Sequence, residues 1–327
     1  MKQLIYDFPK HIEEAISIAK SSILKSPNSG IQNVIICGMG GSGIGAKIVS
    51  NWVHDEIKIP VFLVTDYGLP AFASSNSLVI GSSYSGNTEE TISALEIAKC
   101  IGAHVVCICS GGKMAQFCKE NDYDCILVPG GNPPRSTLAY SLVQLLHILN
   151  TFHLIGSSSI EQMEKSSVLL TDNLSEIQSL AQDLSRHLFG KVGILYGETI
   201  YEGVLVRARQ QFNENSKFLC WHHTIPEMNH NELVGWGGGD SRFAPVFFET
   251  SDIHPRNKKR FEITCKATED KCGNVMTINA KGNSRIEQSL YLIHLVDWAS
   301  FYLCEANNQD IIDIKIIDYL KGELSNF

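Results

Sequence analysis

Short apolar runs recur through the first half of the chain: Asn33–Cys37, Ile59–Thr65, Leu78–Gly81, His104–Cys109 and Asp124–Val128. Helical patterns separate most of them, notably Glu90–Ile101 and Lys113–Glu120. A strand that must be followed by a helix before the next strand makes right-handed βαβ units. The expected class is therefore α/β, with a parallel sheet covered by helices on both faces. After a long helical stretch over roughly 158–188 the alternation resumes, with Val192–Tyr196, a helix over 201–217, Phe243–Glu249, a helix near 255–265 and Asn274–Ala280. A long helix, 284–306, and a last one, 312–324, finish the chain. The two halves read as one architecture used twice, without a residue-level repeat. We place a first domain at 1–155, with a helical lead-in around Ile12, Ala15, Ile16 and Ala19, and a second at 156–308, joined at Gly156-Ser-Ser-Ser. Residues 309–327 would be a terminal helix packing back towards the active site.

In sheets of this kind ligands sit beyond the carboxyl ends of the strands. The most informative loop there is Ser82 to Thr91, Ser-Ser-Tyr-Ser-Gly-Asn-Thr-Glu-Glu-Thr. Asn87 with Glu90 three residues later marks a helix start. Unpaired N–H groups and the positive end of the dipole suit an anion such as phosphate. Ser83, Ser85 and Thr88 add hydroxyl donors, and Gly86 lets the backbone come close. The loop holds no Lys or Arg, so neutral donors would do most of the binding; the plainer alternative is a capped helix start after a strand.

Gly38-x-Gly40-x-x-Gly43 after the first strand matches the dinucleotide fingerprint, and Asp66 lies 23 residues past Gly43. Ser42 adds a hydroxyl, and a second loop at 82–91 would be superfluous for a pyrophosphate. We read both loops as lining one small anionic site, against the alternative of a tight turn with no ligand. Arg135 follows two prolines that hold the backbone stiff before the next helix, so its guanidinium could clamp a phosphate or hydroxyl; equally it could be a solvated helix-start arginine.

On the helix over 201–217, Val204, Leu205, Ala208 and Phe212 make an apolar stripe, while Arg207, Gln210 or Gln211, and Glu214 share another face. Glu214 would oppose the dipole at the helix end, which makes it a candidate general base, although most such glutamates are simply solvated. Pro226-Glu227-Met228-Asn229-His230-Asn231-Glu232-Leu233 gathers proton-transfer groups on an apparent loop, and the imidazole of His230 is the candidate to move a proton. The bland alternative is a hydrogen-bonded loop histidine. A metal held by His222, His223, Glu227 and His230 is disfavoured, because adjacent histidines on an extended segment point to opposite faces.

Composition bounds these readings. A hydrophobic fraction of 44% with 19% charged residues fits globular cores, and a net charge of −8 argues against nucleic acid as a partner while leaving a small phosphorylated ligand open. The ten cysteines form no CxxC pair, and Cys37, Cys107 and Cys109 sit in apolar runs, a pattern of a reducing compartment. Met1 to Ala15 carries Asp7, Glu13 and Glu14 rather than a signal-peptide core, and no run of about eighteen apolar residues is present. The expectation is a soluble, cytoplasmic protein without a membrane partner.

Together the motifs resemble the bifunctional phosphoglucose/phosphomannose isomerase family, built from two sugar isomerase (SIS) domains. The marks, in chain order, are Gly-Met-Gly-Gly-Ser-Gly at 38–43, Ser-Tyr-Ser-Gly-Asn-Thr-Glu-Glu-Thr at 83–91 and Pro-Pro-Arg at 133–135, then Phe-Asn-Glu-Asn-Ser-Lys at 212–217 and Pro-Glu-Met-Asn-His-Asn-Glu at 226–232. The resemblance implies two flavodoxin-like three-layer sandwiches and an aldose–ketose isomerase acting on hexose 6-phosphates through a cis-enediol, with no metal or organic cofactor. It implies that Ser42, Ser83, Ser85 and Thr88, supported by Gly41 and Gly86, hold the sugar phosphate. Arg135 would steady the enediolate, Glu214 would shuttle the proton and His230 would open the ring. The family's site lies between the domains of a homodimer, with the histidine supplied by the partner chain. The family's Asp-Pro-Thr stretch stands here as Asp310-Ile311-Ile312, so the sugar-orienting hydroxyl is missing at Ile312, and with it the support for mannose activity. Tyr319-Leu320-Lys321 does match, and Lys321 is carried over as a site residue. A non-catalytic sugar-phosphate sensor and a nicotinamide-dependent oxidoreductase are the competing classes.

Overall fold

The computed structural model describes residues 1–27, 30–324 and 326. Two short helices, α1 (Lys2–Tyr6) and α2 (Phe8–Ser21), lead into β1 (Asn33–Cys37), α3 (Gly40–Trp52), β2 (Val61–Val64), β3 (Ser77–Ser82), α4 (Glu89–Cys100), β4 (His104–Cys109), α5 (Gly112–Glu120), β5 (Asp124–Leu127) and α6 (Leu138–Thr151). The second half runs α7 (Ser158–Asp172), α8 (Leu174–Leu188), β6 (Val192–Glu198), α9 (Glu202–Ser216), β7 (Cys220–Ile225), the single turn α10 (Glu232–Gly235), β8 (Phe243–Glu249), α11 (Pro255–Cys272), β9 (Met276–Asn279), α12 (Arg285–Ala306) and α13 (Lys315–Leu324).

Both sheets are parallel. Their strand orders, β2-β1-β3-β4-β5 and β7-β6-β8-β9, are one winding, with the fifth position unfilled in the second half. Successive strand residues face opposite sides. In β1, Val34 and Ile36 join the inner core while Ile35 and Cys37 face the outer helices α4 and α5. In the second sheet, Ala244, Val246 and Phe248 point inward, whereas Phe247 meets Phe261 of α11 outside. Each half is thus a three-layer sandwich, and the inner layers of the two fuse into one core.

That fusion is built by helices. On α8, Ile177, Ala181, Leu184 and Leu188 fall on one face and are fully buried, each large one worth about 1.5–3 kcal/mol. Nearly all of α12 is buried, so it reads as hydrophobic all round because it lies inside. Gly203 at the start of α9 would place a Cβ only 2.9 Å from the Ile48 Cα, so the crossing with α3 requires the glycine. Trp52 donates to Ser289 Oγ across the same junction at 2.9 Å.

Several sequence expectations are corrected. The helical stretch over 158–188 is two helices broken at Asn173, whose side chain donates to Leu169 O at 2.8 Å. The helix near 255–265 continues to Cys272, and the terminal helix begins at Lys315 rather than 312. β7 escaped notice because its Cys-Trp-His-His-Thr-Ile shows only a half-buried, edge-strand pattern. The N-cap of α4 is Thr88, not Asn87.

Candidate active site

Register brings Cys37, Gly81 and Cys107 side by side, so the loops after β1, β3 and β4 emerge together. The first packs against the second through glycines. A Cβ on Gly38 would stand 2.7 Å from Ser82 O, and one on Gly43 would stand 2.6 Å from Gly38 O. Ser42 Oγ accepts from Tyr84 N at 3.1 Å, stitching the loops side chain to backbone.

The second loop closes on itself: Gly86 N donates to Ser83 O at 3.0 Å, and the Ser83 and Thr88 hydroxyls lie 2.7 Å apart. Gly86 has φ +67°, and a Cβ there would meet Gly111 O at 1.8 Å, so no other residue fits. Asn87 does not cap α4; its Oδ1 accepts from Lys113 N at 3.0 Å and its Nδ2 donates to Ser85 O at 3.1 Å, fastening the loop to the neighbouring turn. Thr88 gives α4 no side-chain cap, and Ser85 is exposed while Ser83 is buried. Hydroxyls at graded depth thus stand in front of a 12-residue helix start, where neutral donors can meet an anion. Asp66 follows β2, where its Oδ1 accepts the Tyr67 amide at 2.8 Å.

Arg135 stands in a single 3-10 turn, Pro134–Ser136, beyond β5. A Cβ on Gly41 would lie 3.3 Å from Pro134 O, so the first glycine loop abuts this turn. The arginine is 4% exposed. Its Nε donates to Asn215 Oδ1 at 2.8 Å and its Nη2 to Ile311 O at 2.6 Å, while Nη1 stays 3.7 Å from Glu214 Oε2. Burial lowers its pKa from the ordinary value and Glu214 opposes the shift; a guanidinium remains a cation throughout. Lys217, the left-handed cap of α9, donates to Glu214 O at 2.8 Å and Asp310 O at 2.6 Å. The segment before α13 is thereby strapped to the end of the helix that carries Glu214.

The first glycine loop, Arg135 and Glu214 therefore meet. His230 does not join them. The helix α9 returns antiparallel to β6, so Glu214 lies at the amino edge of the second sheet, whereas His230 follows the carboxyl end of β7. The length of α9 keeps the two roughly 20 Å apart in one chain. His230 is exposed, in a 3-10 turn pinned by Asn229 Nδ2 to Thr264 Oγ1 at 2.8 Å. Lys321 is also exposed, on a helix with no buried residue, and Ile312 is 51% exposed. His222 and His223 alternate on β7; His223 Nδ1 lies 2.7 Å from Glu232 Oε2, and burial lowers the His222 pKa. Glu227 accepts instead from Asn231 Nδ2 at 3.1 Å. Among the described residues no group of three or more His, Cys, Asp or Glu is arranged to hold a metal.

Residues 29–147 match the SIS domain, and residues 177–324 match the bacterial phospho-glucose isomerase C-terminal SIS domain. The bifunctional phosphoglucose/phosphomannose isomerase of Caldicellulosiruptor bescii is 36% identical over 99% of both chains. That of Aquifex aeolicus is 35% identical over 90% of both. The chain belongs to the bifunctional phosphoglucose/phosphomannose isomerase family. Solved structures extend the likeness at the level of fold. The C-terminal domain of glucosamine-fructose-6-phosphate aminotransferase from Francisella tularensis aligns with a TM-score of 0.75 at 14% identity, over 95% of this chain and 96% of that one. Tagatose-6-phosphate ketose/aldose isomerase from Escherichia coli aligns with a TM-score of 0.70 at 14% identity, over 94% of each.

In this family member, sequence reasoning passed over Asn215, Lys217 and the Ile311 carbonyl, all of which touch or flank Arg135. The available signal was the spacing of Arg207, Gln211 and Asn215, one polar stripe on α9 that the fold buries.

Proposed function

We propose that this chain is an aldose–ketose isomerase that interconverts fructose 6-phosphate with glucose 6-phosphate and mannose 6-phosphate. The observation that carries the reading is a buried, fixed guanidinium standing between a hydroxyl-lined anion cradle and a carboxylate. Ser42, Ser83, Ser85 and Thr88 take the phosphate, with Gly41 and Gly86 admitting the backbone. Glu214 removes the proton from C1 or C2 and returns it to the other carbon. Arg135 stabilises the negative charge that develops on the enediolate oxygens. The reaction moves a proton and leaves the overall redox state unchanged, so it consumes no nicotinamide, and the reading gives the stabilisation of the enediolate oxygens to Arg135 in place of a metal.

Ring opening needs an acid–base group at the ring oxygen, and His230 of the same chain lies at the wrong edge of the sheet. We assign it to the site of a second copy, in a homodimer where each chain completes the other. Lys321, beyond the strapped segment 310–311, is placed as a second group for the ring oxygens. The protein works in the cytoplasm; ten free thiols suit that compartment, and no helix of the described residues is long and apolar enough to cross a membrane. Nucleic acid has no part in this reading.

Purified protein supplied with fructose 6-phosphate and EDTA tests the proposal, with glucose 6-phosphate and mannose 6-phosphate followed separately. Formation of both is expected. Glucose 6-phosphate alone would restrict the activity and implicate Ile312; neither product from a folded protein that still binds fructose 6-phosphate would replace catalysis with sensing.

A further inference from the structure

Arg135 is held at both ends by groups outside the sugar-binding loops. Its main-chain carbonyl accepts from Arg207 Nη2 at 2.7 Å. The same Arg207 nitrogen lies 3.1 Å from each oxygen of Asp297, and Gln211 Nε2 donates to Asp297 Oδ1 at 2.7 Å. At its other end the guanidinium Nε donates to Asn215 Oδ1, and Asn215 Nδ2 donates to Ser300 Oγ at 2.9 Å. Ser300 Oγ in turn donates to Asp297 O at 2.8 Å. Donors and acceptors alternate along this route, so the amide of Asn215 has one orientation that satisfies both neighbours. All of these side chains are buried, Asn215 and Ser300 completely.

A buried ion pair between two helices is a poor source of stability, since apolar residues of similar volume would serve as well or better. What this one does hold is the root and the roll angle of Arg135. With Nε committed to Asn215 and one Nη2 hydrogen to Ile311 O, the Nη1 edge faces Glu214 at 3.7 Å. That separation is longer than the usual 2.7–2.9 Å of a charge-assisted hydrogen bond, roughly by 1 Å. A guanidinium released at Nε could roll through that gap and close on the carboxylate, occupying the lone pair that has to take a proton from carbon.

We propose that Asn215 is a positioning residue for the isomerisation: it fixes the roll of the Arg135 guanidinium and keeps it from closing on Glu214, with Ser300 and the Arg207–Asp297 pair as its foundation. The proposal rests on the reading of Arg135 and Glu214 as the reacting centre.

Asn215→Ala removes the acceptor, and Asn215→Asp retains an acceptor for Nε. The alanine variant is expected to lose about 100-fold in kcat, as misplacing a catalytic group by about 1 Å can. Its KM for fructose 6-phosphate should stay within about threefold, because the phosphate cradle is untouched. The aspartate variant should recover to within about tenfold of wild type. In a crystal structure of Asn215→Ala, an Arg135 Nη to Glu214 Oε distance near 2.8 Å is expected. Should that variant fail to fold, Ser300→Ala, which removes the acceptor of the Asn215 amide together with the hydroxyl's own bond to Asp297 O, should show the same changes in smaller measure. Alanine and aspartate variants equally impaired, or an alanine variant with wild-type kcat and an unmoved Arg135, would overturn the proposal. Absence of isomerase turnover in the wild type would instead overturn the functional reading, and the crystallographic distance would still decide whether Asn215 holds Arg135.

Discussion

The two halves wind their strands in the same order but use the carboxyl edge of the sheet in opposite ways. In the first half the chain leaves β1 and β3 through glycines and hydroxyls, and α4 starts without a side-chain cap. In the second half the equivalent positions carry Glu198 at the end of β6, Glu249 at the end of β8 and Asp252 after it. There the start of α11 already has its anion. The Glu198 carboxylate accepts from His254 N at 3.3 Å and from Asn257 Nδ2 at 2.7 Å, and the His254 side chain caps the Arg256 amide. One half leaves a helix start without a side-chain cap; the other fills the same place with a side chain of its own. The second half reaches Arg135 from its other edge, through Glu214 and Asn215 at the far end of α9. Architecture therefore says where sites can form, and the residues at each strand end decide which is used.

The largest expected effect is that of Glu214→Gln, which should cost about 10²–10⁴-fold in kcat while leaving sugar-phosphate binding in place; isothermal titration and the coupled assay separate the two. A variant with wild-type turnover would remove the second half's claim on the chemistry. Ser83→Ala, within the cradle, should raise KM about tenfold or more, the worth of a hydrogen bond to a charged group, with a smaller change in kcat. Glu198→Gln sharpens the comparison from the other side: kcat and KM should not move, because the second half's helix start takes no part in binding.

Two predictions concern stability. Burial lowers the His294 pKa from 6.5 to about 4, and its ring contacts Ile5 O at 3.0 Å in the shared core. A neutral buried histidine in the folded state means that the unfolded chain binds the extra proton between those values. Stability is therefore undiminished above pH 6.5 and falls as pH drops towards 4, by about 3 kcal/mol from this group. Melting followed from pH 7 to 4 should show the slope, and His294→Gln should flatten it. The Glu198 pKa is raised by burial, against the hydrogen bonds from Asn257 and His254. Its contribution is present at low pH and is lost as pH rises through the raised value, so Glu198→Gln should be slightly stabilising at pH 8 and neutral near pH 4. That is the smallest effect of the set.

The first half was legible because its signals are local. Apolar strands such as Asn33–Cys37 end directly in loops rich in glycines and hydroxyls, and Ser42, Ser83 and Thr88 lie on those loops. The second half was less legible, since what matters there depends on tertiary neighbours. Asn215 reads as an ordinary helix-end polar residue until Arg135, 80 positions earlier, is seen bonded to it. The Ile311 carbonyl has no side-chain signature at all. β7 carries Trp221, His222, His223 and Thr224 at a sheet edge, with no apolar alternation to mark it, and its neighbour His230 is informative only through its distance from Glu214.

That distance supports the central claim, that two chains build each site. Glu214→Gln and His230→Ala proteins should each be nearly inactive alone. Mixed, dissociated and reassociated, they would form hybrid dimers with one intact site. Random pairing predicts recovery to about a quarter of the wild-type specific activity. A mixture that associates into hybrids yet stays as inactive as its parents would show that His230 and Glu214 must act from one chain, and would contradict the account.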